Sequence, residues 1–178
     1  KDGTVYPKVD PAIRYADILL MYAEALNELT TTYQIASWDG SETHAISRDV
    51  AAMKAAVLPV RLRAGLPNFD EIGIGDPYHN PDELRREIKR ERQIEFLGEN
   101  QRYYDLRRWK DAPEEESQMI YGCNTTVPKE YREFFYEQVV VPSVQTSWSM
   151  KKYFWPVAYE ELKRNARLTQ APGWPSFD

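Results

Sequence analysis

Glu91 and Glu95 stand four residues apart, at the head of the stretch RQIEFLGENQRYYDLRRW (92–109). That stretch holds four arginines, three carboxylates and four aromatic rings. On a helical wheel Leu84, Ile88, Glu91 and Glu95 fall within an arc of about 60°, so two carboxylates share the apolar face. One turn of helix puts their Cβ atoms about 5–6 Å apart. Three chemistries compete for such a pair. Retaining glycoside hydrolysis uses carboxylates about 5–5.5 Å apart, but they must flank the scissile bond from opposite sides, which one helix face does not do. A carboxylate-bridged metal site in a helical bundle needs Glu-x-x-His, and the two histidines, His44 and His79, do not supply it. The third reading is a structural lock. Arg102, Arg107 and Arg108 lie beyond Gly98 on the next predicted helix, and guanidinium forks match carboxylates that must be paired when buried. Tyr103, Tyr104, Leu106 and Trp109 would cover the network. The lock is preferred, which leaves no catalytic residue and no metal ligand in the stretch.

Helices must position these groups. The first is expected from 11 to 29, with Asp10 as N-cap and Pro11 at the first helical position. Its apolar stripe reads Tyr15, Leu19, Tyr22, Leu26 and Leu29, with Ala16 and Ala23 beside it. Residues 30–46, rich in Thr, Ser and Gly, read as a long loop. A second helix is expected after Ser47 as N-cap, with Asp49 in its first turn. Pro59 should kink it, and Gly65 and Pro67 should end it. Segment 11–65 is then one helical pair. After a turn-rich connection at 68–79, Asn80 caps a third helix, with Pro81 at N1 and Glu83 completing a capping box. It should stop at Gly98, and a fourth helix should cover about 100–110. The second pair is therefore 80–110. From 111 to 178 the helical period is lost. Pro128, Pro142 and Pro156 break long elements, Val139–Val141 favours an extended segment, and a short helix is expected at 158–164.

Composition narrows the function classes. The chain has 178 residues, the size of one domain. Its 28 acidic residues outnumber 23 basic ones, which argues against nucleic-acid binding. Twelve Tyr, six Phe and five Trp suit packing, interfaces or carbohydrate stacking, and composition does not choose among them. The lone cysteine, Cys123, cannot form an internal disulfide, and with two histidines it cannot build a usual zinc site. It reads as buried and inert. PYHNPDE (77–83) lacks the spaced ligands of a calcium loop, and helix capping explains Asn80 and Glu83. APEEES (112–117) reads as a solvated acidic turn. No apolar run approaches the ~20 residues of a spanning helix, and no signal segment is visible. The protein is thus expected to be cytosolic, or the chain to begin downstream of its signal.

Four segments, in order, resemble the SusD/RagB family of outer-membrane nutrient-binding lipoproteins. They are RYADILLMYAEALNEL (14–29), VRLRAGLP (60–67), IKRERQIEFLGENQRYYDLRRW (88–109) and YFWPVAYEELKRNARLTQAPGW (153–174). The third is the most specific. Ala166 and Ala171 depart from the closing signature, which usually carries Pro and Asn there, and Pro59 sits where a family helix continues. The resemblance implies a mainly α fold, tetratricopeptide-like helix pairs packed against an irregular, loop-rich C-terminal part. It implies that the chain is the C-terminal portion of a longer protein, anchored at the cell surface of the outer membrane through a lipidated N-terminal cysteine. The implied partners are a SusC-like TonB-dependent transporter, an oligosaccharide or peptide ligand, and the upstream part of the same protein. Neither a cofactor nor catalysis is implied.

Ligand residues must be read from the chain itself. Tyr33 and Trp38 lie in the 30–46 segment beside Asp39 and Ser41, and Trp148 stands in QTSWSM. Aromatic faces beside hydrogen-bonding groups suit sugar rings, so Tyr33, Trp38 and Trp148 are the candidate ligand contacts. Trp155 and Trp174 read as packing anchors. The competing function is a helical-repeat interaction scaffold with no small ligand.

Overall fold

A computed structural model describes residues 12–73 and 75–175. The chain divides into two compact units, Lys1–Arg102 and Tyr103–Asp178. Each is described by itself.

The first unit contains α1 (Tyr15–Asn27), a hairpin of β1 (Tyr33–Ala36) and β2 (Thr43–Ile46), α2 (Val50–Arg63) and α3 (Pro81–Glu95). Helix α1 packs against both α2 and α3. The core draws Leu20, Ala23 and Leu26 from α1, Met53, Val57 and Val60 from α2, and Leu84 and Ile88 from α3. Phe69, Tyr78 and Phe96 close it from the connecting segments.

The proposed caps Asp10 and Pro11 lie outside the described residues. The expected α1 stripe is rotated in the structure. Tyr15 is 73% and Tyr22 50% exposed, while Asp17, Leu20, Ala23, Leu26 and Asn27 are buried. Small Ala23 lets neighbouring helices approach, which a tyrosine in its place would prevent. The polar members of this face are buried because each finds a partner. Arg92 Nη1 donates to Asp17 Oδ1 at 2.8 Å, and Asn27 accepts from Arg48 Nη2 at 2.8 Å while donating to the Pro81 carbonyl at 2.9 Å.

The long loop expected at 30–46 is instead an antiparallel hairpin, with Tyr33 opposite Ile46 and Ala36 opposite Thr43. The overlooked signal is Asp39-Gly40, a turn dipeptide between short runs of β-formers. Gly40 takes φ +70° there. Helix α2 is capped by Asp49, not Ser47: the Asp49 carboxylate accepts from Ala52 N–H at 3.0 Å. The helix runs through Pro59, because Pro59 and Ala55, one turn earlier, are both on the exposed side. Its end is a Schellman turn, with Gly65 N–H bonded to the Leu62 carbonyl and Leu66 N–H to that of Arg61. Asn80 caps α3 through bonds from Asp82 and Glu83 N–H, as expected. The capping box does not close, since Asn80 N–H donates to the Pro77 carbonyl. Helix α3 ends at Glu95, before the expected Leu97, and Gly98 follows with φ +83°.

Helix α4 (Gln101–Trp109) leads into the second unit. There α5 (Ala112–Glu115) replaces the expected acidic turn, with Pro113 in the first turn where a missing N–H costs nothing. Strands β3 (Tyr121–Cys123) and β4 (Gln138–Val140) pair antiparallel, and α6 (Tyr159–Arg164) falls close to its expected range. Short 3-10 turns fill the rest. Cys123 is exposed, not buried: it sits at the end of a strand in a two-stranded ribbon. No described residue from 113 to 175 is buried. The fold class is mainly α with an irregular C-terminal part, as the sequence predicts.

Candidate functional site

The carboxylates on α3 are neutralised, but by other arginines than the sequence analysis named. Arg61 Nη1 donates to Glu91 Oε2 at 2.6 Å, and both side chains are buried. Arg61 also donates through Nε to the Pro67 carbonyl at 2.6 Å and lies over the Phe69 ring. Glu95 is held from two sides: Arg14 Nη1 binds Oε1 at 2.9 Å, and Arg63 Nη2 binds Oε2 at 2.5 Å. Arg14 also reaches Glu99. Hydrogen bonding to Glu99, and to Glu95 after it, raises the Arg14 pKa against the opposing effect of partial burial. Arg107 and Arg108 are engaged elsewhere, at 2.8 Å from Glu116 and 2.8 Å from Asp105. The correction has a simple cause. The stripe of α3 that bears Leu84 and Ile88 turns into the core shared with α1 and α2, so its carboxylates meet guanidiniums at the start of α1 and the end of α2. Both Glu95 oxygens are occupied, which is the geometry of a lock.

The candidate ligand residues divide between the units. Trp38 stands at the tip of the first-unit hairpin and is 98% exposed. Beside it, Asp39 Oδ1 accepts from Ser37 Oγ at 2.7 Å, Ser41 Oγ at 2.8 Å and Ser41 N–H at 3.1 Å. Those bonds, Ser37 first, pull the Asp39 pKa down to about 2. Ser37 Oγ in turn accepts from Glu42 N–H at 3.0 Å, so the tip is braced from both strands. Tyr33, at the base of β1, is half exposed. The hairpin therefore presents an indole face on a fixed turn beside hydroxyls and a carboxylate.

Trp148 belongs to the second unit and is only half-buried. Its ring meets Tyr153 edge-on at 4.8 Å, and the Arg107 guanidinium lies 5.6 Å from its centroid. Its indole Nε1 is buried with no hydrogen-bond partner among the described residues. The same unit has a cleft of about 420 Å³ walled by Tyr103, Phe154, Trp155 and Trp174. Trp174 is an anchor, as expected: its N–H donates to the carbonyls of Lys151 and Phe154. Trp155 is not, being 70% exposed and tilted against Tyr103 at 5.7 Å. Among the described residues no cluster of His, Cys, Asp and Glu has the makings of a metal site, and no helix is long and apolar enough to cross a membrane.

The chain matches the SusD family model (SusD_RagB) over residues 8–174. The chain belongs to the SusD family. It is 35% identical over 114 residues to SusD-like protein P38 of Formosa agariphila, covering 62% of this chain and 20% of that protein. It is 30% identical over 156 residues to SusD-like protein P2 of the same organism, covering 88% of this chain and 24% of that protein. A crystal structure of a SusD-like protein from Bacteroides fragilis superposes with a TM-score of 0.62 at 31% identity, over 91% of this chain and 25% of that one. The helix pairs are of the tetratricopeptide-like kind found in such proteins. The chain spans about a fifth to a quarter of the length of these relatives.

Proposed function

We propose that this chain is the C-terminal portion of a surface-exposed, nutrient-binding subunit. The subunit works with a SusC-like TonB-dependent transporter and is lipid-anchored at the outer membrane through a region outside these 178 residues. Its cargo is a glycan oligomer, or a peptide, bound without chemical conversion. Family membership across residues 8–174 carries this reading. Two further observations support it. Trp38 offers an open ring face on a hairpin tip that Asp39 braces through Ser37 and Ser41, with Tyr33 at the foot of the same hairpin. The absence of any buried described residue from 113 to 175, beside open rings such as Trp155 and Tyr136, is what a surface awaiting cover by the upstream part of the same protein looks like.

The test uses the full-length protein. Retardation in gels containing candidate polysaccharides, or binding of labelled peptides, is expected, together with co-purification with a TonB-dependent transporter from outer membranes. Failure to bind either cargo class, with protein partners retained, would establish the helical-repeat scaffold instead.

A further inference from the structure

Asp39-Gly40, the turn of the first-unit hairpin, is also a reactive pair. Asp-Gly occurs twice in the chain, at 2–3, outside the described residues, and at 39–40; Asn-Gly does not occur. In such a pair the glycine amide nitrogen can close on the aspartate carboxyl carbon, because no Cβ on the second residue stands in its way. The N–Cγ bond forms, the carboxyl hydroxyl leaves with the amide hydrogen as water, and a five-membered succinimide results. Water then adds back. Addition at Cγ restores aspartate. Addition at the main-chain carbonyl carbon breaks the original peptide bond, so that glycine stays joined through Cγ and the main chain is one methylene longer. Water is the only co-reactant, and Asp39 and Gly40 are both exposed.

Ring closure needs a protonated carboxyl, a free Gly40 nitrogen, and a carboxyl carbon swung onto that nitrogen. The hairpin tip opposes all of these. Ser37 Oγ, Ser41 Oγ and Ser41 N–H donate to Asp39 Oδ1 at 2.7, 2.8 and 3.1 Å. Bonds to the charged form keep the carboxyl ionised, with its pKa drawn down to about 2. They also tether it toward Ser41, one residue past the nitrogen it would have to meet. Gly40 N–H is engaged by the Ser37 carbonyl at 2.9 Å. Ser37 is itself fixed: its Oγ accepts from Glu42 N–H at 3.0 Å, and its N–H donates to the Glu42 carbonyl at 2.9 Å. The turn takes φ +70° at position 40, which glycine adopts without steric cost. The fold thus calls for the residue that makes Asp39 vulnerable, and the two serines offset that vulnerability.

We infer that Asp39-Gly40 is a site of spontaneous conversion to isoaspartate, and that Ser37 and Ser41 suppress the conversion in the folded protein. The product lengthens the main chain beside Trp38 and takes the carboxyl out of the brace, so the fixed presentation of that ring ends with it. Only contacts within residues 37–42 are involved, whatever the cargo is.

The full-length protein is incubated near neutral pH at physiological temperature, once native and once unfolded in guanidinium chloride. Digestion followed by electron-transfer mass spectrometry, which separates isoaspartate from aspartate, tracks residue 39 over time. Conversion in the native protein is expected to be at least about tenfold slower than in the unfolded one, since each unit by which a carboxyl pKa is lowered cuts its protonated fraction about tenfold. The double variant S37A/S41A, with its fold checked by circular dichroism, should convert several-fold faster than the unmodified protein when native and at the same rate when unfolded. The native-against-unfolded comparison needs no variant, and Ser37→Ala alone serves if the double variant does not fold. Equal rates in the native and unfolded unmodified protein would overturn the inference. So would a folded variant that converts no faster than the unmodified protein, which would assign the protection to something other than the two hydroxyls. A variant that is also faster when unfolded would overturn it as well, by tracing the change to local sequence and not to the brace.

Discussion

Arg61 and Glu91, thirty residues apart in the chain, meet at 2.6 Å with both side chains nearly sealed from solvent. Burying two charges costs free energy, and only mutual contact and further hydrogen bonds offset it. Arg61 has such a bond, from Nε to the Pro67 carbonyl, and its guanidinium also lies over the Phe69 ring. Removing one partner strands the other. Glu91→Ala is therefore expected to destabilise the protein by about 3–5 kcal/mol, whereas the exposed Arg63→Ala should cost about 1 kcal/mol or less. Urea denaturation of both variants checks this, and equal losses would refute the distinction.

Asn80 accepts two backbone N–H bonds at the start of α3. Asn80→Ala should cost about 1 kcal/mol, and Asn80→Asp should retain most of the stability because Asp caps equally well. Glu83→Ala should be nearly silent as a capping variant, since the reciprocal half of the box is absent. Melting curves of the three variants separate these roles.

The pKa of Asp39 is lowered to about 2 from an ordinary value near 3.8 because Ser37 and Ser41 donate to its ionised form. A depressed carboxylate pKa stabilises the hairpin tip above the unfolded value. That stability is lost as pH falls from about 4 through about 2. Carbon-13 NMR of the Asp39 carboxyl should show a midpoint near the lower value, and the Ser41 amide should lose its shift over the same range. Ser37→Ala should raise the midpoint. A midpoint at the ordinary value in the unmodified protein would contradict the bracing.

Trp38 is open and Trp148 is packed against Tyr153. Trp38→Ala in the full-length protein should weaken cargo retention by several-fold without a change in melting temperature, because no packing is lost. Trp148→Ala should instead lower the melting temperature, since a half-buried ring is removed. The reverse pattern would exchange the roles assigned to the two indoles.

Local features were legible from residue order because they depend on neighbours within a turn or two. Asn80 and Gly65 mark helix ends whichever way the helices pack, since a cap acts on its own backbone. The hairpin at 33–46 was equally local, and Asp39-Gly40 carried the signal that the Thr- and Ser-rich composition obscured. The buried face of α1 was less accessible. Tyr15 and Tyr22 fit a helical period as well as Leu20 and Ala23 do, and periodicity alone does not say which of two partly apolar faces turns inward.

The sequence by itself determined that α3 carries two carboxylates on its apolar side, that these need cations, and that the chain has the segments of the SusD family. Only the tertiary structure decided which cations answer. Arg102, Arg107 and Arg108 stand on the next helix in the chain, but Arg14, Arg61 and Arg63 meet Glu91 and Glu95. Ion pairing follows distance in space, and that distance is set by which helix faces pack, a collective outcome of the core that no short window of residues contains.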